Sequence, residues 1–110
     1  MTVFGPTAGV RIATAYGLGT QARLVGPVAH GRRGEVWQLT TATGRYAVKV
    51  SFQPPSIVAA ERDAAFQDHV REAGIPMPAV VRTRDGSVSA QVDGRTVRVY
   101  EWVDVLAADR

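Results

Sequence analysis

Apolar and polar residues alternate in segments between residues 35 and 52, which is the pattern of half-buried β-strands. With the preceding apolar segment, this pattern predicts three strands, over residues 22–30, 35–41 and 45–52. The pair Gly26-Pro27 interrupts the first of these strands. A Gly-containing loop, "HGRRG", and the short turn "ATG" connect the three strands in order.

A helical pattern follows over residues 57–74 and predicts the main helix of the chain. The segment "QPPS" ends the preceding strand and offers Ser56 as the helix N-cap. Gly74 and the prolines at positions 76 and 78 end the helix. A weaker helical stretch covers residues 10–16, within a start that is rich in glycine and alanine.

Strand patterns return after the main helix and are punctuated by two tight turns. A short strand near "AVVRT", the segment "SVSAQV" and the strand "RTVRVYEWV" are separated by Asp-Gly turns at 85–86 and 93–94. The order β-β-β-α-β-β predicts an α+β fold, a five-stranded antiparallel sheet with one main helix packed on one face. We divide the chain into an extension with a short helix (1–21), the sheet domain (22–104) and a tail (105–110).

Length and composition narrow the class of protein. The 110 residues suffice for one small domain, and 45% hydrophobic residues without cysteine favour a globular chain without disulfides. No leader pattern or long apolar run is evident, so we expect a cytoplasmic protein. The net charge of +3 comes from scattered arginines, so nucleic-acid binding is not expected. His30 and His69 have no partners at metal-ligand spacing, and we predict no metal site.

Lys49 is the only lysine, and the other twelve basic residues are arginine. It lies within a predicted strand, where successive side chains point to opposite faces. One face is apolar and is the expected seat of the main helix, and it carries Tyr46, Val48, Val50 and Phe52. Lys49 is on the other face, where either a snorkelling rim lysine or a phosphate-binding group fits.

A carboxylate is the expected partner of Lys49, because an unpaired buried ammonium is costly. Asp63 falls within the apolar stripe predicted for the main helix, which consists of Ala59, Phe66, Val70 and Ala73. Glu61 is the longer rival and points roughly away from that stripe. Asp63, Glu61 and no ion pair at all remain open at this point.

The loop "AHGRRGEV" has features of an anion site. Gly31 and Gly34 permit close backbone approach, and free N–H groups there can face an anion. Arg32 and Arg33 add positive charge at the tip, although a plain turn is the simpler interpretation. Beyond the loop, Val36 and Ala47 would offer a small apolar surface suitable for a flat ring.

Together these segments resemble the small N-terminal lobe of protein-kinase-like phosphotransferases, in the branch of the aminoglycoside phosphotransferases and choline kinases. "AHGRRGEV" resembles the glycine-rich nucleotide loop, with Gly31, Gly34 and Val36 in register, and "AVK" resembles the strand motif of the phosphate-binding lysine. The stretch "DAAFQDHVREAGIPMP" aligns Asp63 with the acid that pairs with this lysine in the family, which usually has glutamate there.

The resemblance implies ATP as the ligand and assigns roles to particular residues. Lys49 and Asp63 would be the catalytic pair, and "YEWV" would be the hinge that holds adenine. The implied nucleotide contacts are Gly31, Arg32, Arg33, Gly34, Val36, Ala47, Lys49, Tyr100, Glu101 and Val103.

The family's catalytic loop and Mg²⁺ ligands have no counterpart in these 110 residues. The resemblance therefore implies a nucleotide-binding lobe that is inactive alone, with Mg²⁺ bound only if a second lobe supplies ligands. Its partners would be ATP and either a C-terminal lobe or another copy that covers an exposed apolar underside. The alternative functions are a basic β-rich module for nucleic acid or a protein, and an inactive regulatory lobe that binds a kinase-like partner.

Overall fold

The computed structural model describes residues 4–32, 34–52, 56–74 and 78–102. Two helices and six strands form there, in the order α1 (Ala8–Tyr16), β1 (Arg23–His30), β2 (Gly34–Thr41), β3 (Gly44–Ser51), α2 (Ile57–Glu72), β4 (Val80–Val81), β5 (Ser89–Val92) and β6 (Arg95–Glu101). The mixed α+β class, the two helical segments and the first three strands are as predicted from the sequence, with ends that differ by a few residues.

The six strands form one antiparallel sheet with the order β1-β2-β3-β6, and β6 carries both β4 and β5 on its other edge. The predicted count of five strands was one too low. The short strand predicted near "AVVRT" is β4, and the additional strand is β5, which lies within the segment "SVSAQV" that the prediction did not count as a strand. The interruption predicted in β1 is confirmed, because its register against β2 shifts between Val25 and Ala29.

The second Asp-Gly turn forms the tight hairpin between β5 and β6. Asp93 and Gly94 both have positive φ, at 53° and 73°. A two-residue hairpin turn of this kind needs the left-handed conformation at both positions, which Asp-Gly adopts readily. The turn sets the register that places Val92 opposite Arg95 and Ser89 opposite Arg98.

The hydrophobic core lies between one face of the sheet and α1. Fully buried side chains on this face include Leu39, Val48, Val50, Val97 and Val99. The sequence led us to expect the main helix on this face, but α1 covers it and that expectation was wrong. Ala8, Ile12 and Tyr16 are spaced four residues apart and form a buried stripe on α1 that the short length of the helix obscured.

Not all of the predicted apolar face is buried. Tyr46 is half-buried and packs against the core, whereas Phe52 lies past the end of β3 and is 39% exposed. The Phe52 ring lies beside His30, at 5.9 Å between ring centroids. The buried apolar face therefore ends at Val50, two residues earlier than the alternation predicted.

The longer helix, α2, lies on the other side of the sheet from α1, where its residues line a pocket with Lys49. The Ser56 hydroxyl accepts a hydrogen bond from the Ala59 amide at 3.1 Å, which confirms the predicted N-cap. The buried side chains of α2 are Ala60 and Ala64, whereas Phe66, from the predicted inward stripe, is 67% exposed. The prediction of that stripe as the buried face was wrong. Helix α2 has apolar residues on several sides, so their spacing alone did not identify which face packs against the rest of the protein.

Candidate functional site

Lys49 occupies the face of the sheet opposite the α1 core. It lies on β3 directly across from Val36 on β2 and Arg98 on β6, and its side chain is exposed. Ala47, two residues before it, faces Tyr100. Because directly paired residues point the same way, these five side chains share one surface, which we call the cleft face.

The cleft face and α2 together enclose a shallow pocket. Its lining consists of Lys49, Asp63, Phe66, Gln67, Arg98 and Tyr100. The predicted pair, Lys49 and Asp63, therefore lies within one pocket, but no ion pair joins the two among the described residues. The Gln67 amide donates to the Pro78 carbonyl at 3.3 Å, which links α2 to the segment that precedes β4.

Glu61, the alternative partner of Lys49, is bound elsewhere. Its carboxylate accepts a hydrogen bond from Arg82 at 2.9 Å and another from the Val88 amide at 3.2 Å. Asp68, two turns further along α2, lies 3.9 Å from the same guanidinium. These contacts direct Glu61 toward the β4–β5 connection and leave Asp63 as the carboxylate on the Lys49 side.

The glycine-containing loop borders a second pocket, of about 520 Å³, which is within the size range of small-molecule sites. This pocket also contains Lys49, together with Ala29, His30, Gly31, Arg32, Gly34, Glu35 and Val36. Lys49 is thus common to both pockets, and the two form adjoining parts of one surface. Arg33, another predicted contact, lies outside the described residues.

The two loop glycines have different structural roles. A Cβ on Gly34 would lie 2.1 Å from the Val50 carbonyl oxygen, so the close approach of β3 excludes any side chain there. A Cβ on Gly31 would meet nothing within 4 Å. The Gly31 amide donates to the Gly34 carbonyl at 2.9 Å, so this N–H group, which the sequence suggested was free for an anion, is already used.

A buried acid lies at the base of this loop. Glu35 is 2% exposed, and one carboxylate oxygen lies 3.6 Å from His30 Nε2. The Trp37 indole N–H donates to the other oxygen at 3.3 Å. Sequence reasoning did not single out Glu35, although a charged residue among the alternating apolar positions of β2 was a usable signal.

The predicted hinge begins at the end of β6. Tyr100 is half-buried between Ala47 and Val80 of the neighbouring strands, and the Glu101 amide donates to the Ala79 carbonyl at 2.9 Å. Val103, the other predicted adenine contact, lies outside the described residues. The structure therefore places Tyr100 and Ala47 together on the cleft face, next to Lys49.

The phenol of Tyr100 is neutral at neutral pH, and its surroundings shift its pKa further upward. Burial raises the pKa of Tyr100, the positive charge of Arg98 opposes this shift, and the negative charge of Asp63 adds to it. The Arg98 guanidinium carbon lies 6.0 Å from the centroid of the Tyr100 ring. At neutral pH Tyr100 is therefore a hydrogen-bond donor at the margin of the pocket.

Arg98 is a site residue that the sequence analysis missed. The signal was present in the alternation of "RTVRVYEWV", because Val97 and Val99 face the core and Arg98 must face the other way. The missing information was the register between β3 and β6, which is set by tertiary structure. That register brings a second cation directly beside Lys49.

Within residues 4–32, 34–52, 56–74 and 78–102, no group of three or more His, Cys, Asp and Glu side chains is arranged to hold a metal ion. Neither helix in these ranges is long and apolar enough to cross a membrane. His30 and His69 are both exposed.

Comparison with known proteins identifies the family of the chain. A search of curated proteins gave no match to the chain at the stringency applied. A family model, described as "Phosphotransferase enzyme family", matches residues 25–110, which is most of the chain. The match confirms the resemblance predicted from the loop, lysine and hinge motifs, and the chain belongs to the phosphotransferase enzyme family.

Proposed function

We propose that residues 1–110 form the ATP-binding small lobe of a small-molecule phosphotransferase. The observation that carries the proposal is the position of Lys49, which lines both the loop pocket and the pocket beneath α2. A ligand that extends across both pockets must pass this ammonium group. A nucleotide is such a ligand, because it is elongated and carries its negative charge at one end.

The proposed pose assigns a role to each part of the cleft face. Adenine lies on the small apolar surface of Val36 and Ala47, near the Tyr100 end of β6. The phosphates reach Lys49, and the loop at Gly31 and Arg32 covers them. A lysine suits this position because its ammonium is a compact point charge on a flexible stem.

Asp63 is the proposed positioning carboxylate for Lys49. The two side chains line the same pocket, and Glu61 is bound to Arg82 and Val88 instead. A carboxylate near Lys49 would limit the directions in which its ammonium points and so favour one phosphate contact. Ligand binding is the event that we expect to draw Lys49 and Asp63 together.

The chemical contribution of these residues is binding and orientation. Lys49 neutralises phosphate charge and holds the chain of phosphates in line, and Asp63 orients Lys49. A general base for the acceptor and Mg²⁺ ligands would come from a second lobe. We therefore expect these 110 residues alone to bind ATP without transferring its phosphate.

Isothermal titration of Mg-ATP tests the proposal, with Lys49→Ala compared with wild type. Loss of a charge-assisted phosphate contact should weaken binding by at least about tenfold. Arg45→Ala is the matched control, because Arg45 is an exposed cation on the same face of β3 but outside both pockets. Equal affinities in wild type and Lys49→Ala, or equal losses in both variants, would contradict the proposal.

Gly31→Ala provides an independent test of the loop. The position has room for a methyl group in the protein alone, so a loss of ATP affinity would report on the approach of the ligand. An oligonucleotide titrated in parallel tests the nucleic-acid alternative. Binding of the oligonucleotide, with unchanged affinity in Lys49→Ala and no binding of ATP, would favour that alternative.

The partner expected from the resemblance is the large lobe of the family. Three apolar side chains of α2 are exposed enough to take part in such a contact, and they are Ile57 (77%), Val58 (68%) and Phe66 (67%). Sedimentation of the 110-residue chain tests the related expectation of self-association. A stable monomer at all concentrations would count against it.

A further inference from the structure

Arg98 has an unsatisfied polar group at the pocket that Lys49 lines. Its Nε is buried and has no hydrogen-bond partner, and no ion pair involves Arg98 within the described parts of the chain. A buried donor without a hydrogen-bond partner destabilises a protein, because it has lost its contacts with water and gained none in exchange. The position of Arg98 in the pocket would allow a bound anion to accept a hydrogen bond from this group.

The position of Arg98 is fixed by two kinds of contact. It lies directly opposite Lys49 in the β3–β6 register, so the two side chains leave the sheet side by side. Its guanidinium lies over the Tyr100 ring at 6.0 Å, within the range of a cation–π interaction. The neighbouring strand and the ring thus hold Arg98 at the pocket instead of in bulk solvent.

The charges of this pocket do not balance. Lys49 and Arg98 are two cations, and Asp63 is the only carboxylate among the six lining residues. Two adjacent like charges repel each other, and one exposed carboxylate compensates only part of that repulsion. An anion with more than one negative charge would satisfy both cations at once.

We propose that Arg98 is a second phosphate-binding residue, which acts with Lys49 on the phosphate chain of the nucleotide. Arginine is suited to this role because its planar guanidinium can donate two parallel hydrogen bonds to a phosphate group. The inference deepens the proposed function and rests on it for the identity of the ligand as a nucleotide. The claim about Arg98 itself concerns only the polyphosphate part.

Titration of ATP, ADP and adenosine into wild type and Arg98→Met tests the proposal. Methionine keeps an unbranched apolar stem while removing the charge and every N–H group. ATP affinity should fall by at least about tenfold in Arg98→Met, and adenosine affinity should not change. Arg45→Met is the matched control and should leave ATP affinity unchanged. ATP affinity within twofold of wild type in Arg98→Met would overturn the inference.

Inorganic tripolyphosphate separates this inference from the proposed function, because it has no base. Thermal stabilisation of wild type by tripolyphosphate, lost in Arg98→Met, supports the Arg98 site even if ATP itself does not bind. Absence of stabilisation in wild type, or equal stabilisation of both proteins, overturns it. If Arg98→Met does not fold, Arg98→Gln replaces it in both experiments with the same expected losses, because glutamine is neutral yet polar.

Discussion

The α-carbon of Gly34 lies so close to β3 that an added Cβ would be 2.1 Å from the carbonyl oxygen of Val50. Gly34 is paired with Ser51 at the end of the β2–β3 ladder, where the loop enters the sheet. The glycine that the motif assigned to the nucleotide is therefore also required by strand packing. Gly31, three residues earlier, has no such neighbour.

Gly34→Ala should reduce the free energy of unfolding by about 1–3 kcal/mol, because the methyl group overlaps backbone that cannot move without breaking the ladder. Gly31→Ala is the control and should change stability by no more than about 0.5 kcal/mol. Urea denaturation followed by tryptophan fluorescence measures both. Equal stabilities of the two variants would show that the β2–β3 ladder relaxes around the added methyl group.

Ile12→Ala should destabilise the protein by about 2–5 kcal/mol, because Ile12 is fully buried against the sheet and its truncation leaves a cavity. Val10→Ala on the same helix is the control, since Val10 is 54% exposed. Denaturant unfolding of both variants provides the measurement. Helix α1 precedes the family match at residues 25–110, so a large loss would show that the folding unit extends beyond that match.

Glu61→Ala should cost about 1 kcal/mol, because the Val88 amide and Arg82 lose an acceptor. Glu72→Ala, at the exposed end of the same helix, should have a smaller effect. Thermal unfolding at low and high salt measures both variants. ATP affinity should be unchanged in Glu61→Ala, and a selective loss there would reassign the lysine partner from Asp63 to Glu61.

The stability of the protein should fall above pH 10 because of Tyr16. Its hydroxyl donates a hydrogen bond to the Val88 carbonyl at 2.9 Å, with the Val97 carbonyl at 3.2 Å, and burial raises its pKa well above the ordinary value. The folded protein then keeps a proton that the unfolded chain releases from about pH 10 upward. Stability from this group is complete below that pH and is lost as pH rises toward the folded pKa.

The expected slope is a loss of about 1.4 kcal/mol per pH unit above pH 10 for this one proton. Tyr16→Phe removes that contribution and should cost about 1 kcal/mol at neutral pH through the lost hydrogen bond. Urea denaturation between about pH 8 and 12 measures both effects. If wild type and Tyr16→Phe lose stability in parallel at high pH, the assignment to Tyr16 is wrong.

The local patterns of the sequence determined most of the secondary structure. Alternation in "RYAVKVSF" predicted β3 and placed Val48 and Val50 on the opposite face from Lys49, as observed. The Ser56 cap and the Asp93-Gly94 turn were also predictable, since each depends on residues only a few positions apart. The order of the motifs indicated the phosphotransferase family, which the family match confirmed.

Tertiary structure alone decided which helix covers the core and which side chains meet on the cleft face. Helix α2 has apolar residues around much of its circumference, so its contact face at Ala60 and Ala64 depended on the surfaces available to it. Glu61 contacts Arg82 and Val88, which lie 21 and 27 residues further along the chain. Arg98 meets Lys49 only through the pairing of β3 with β6, and single-strand alternation carries no information about register between distant strands.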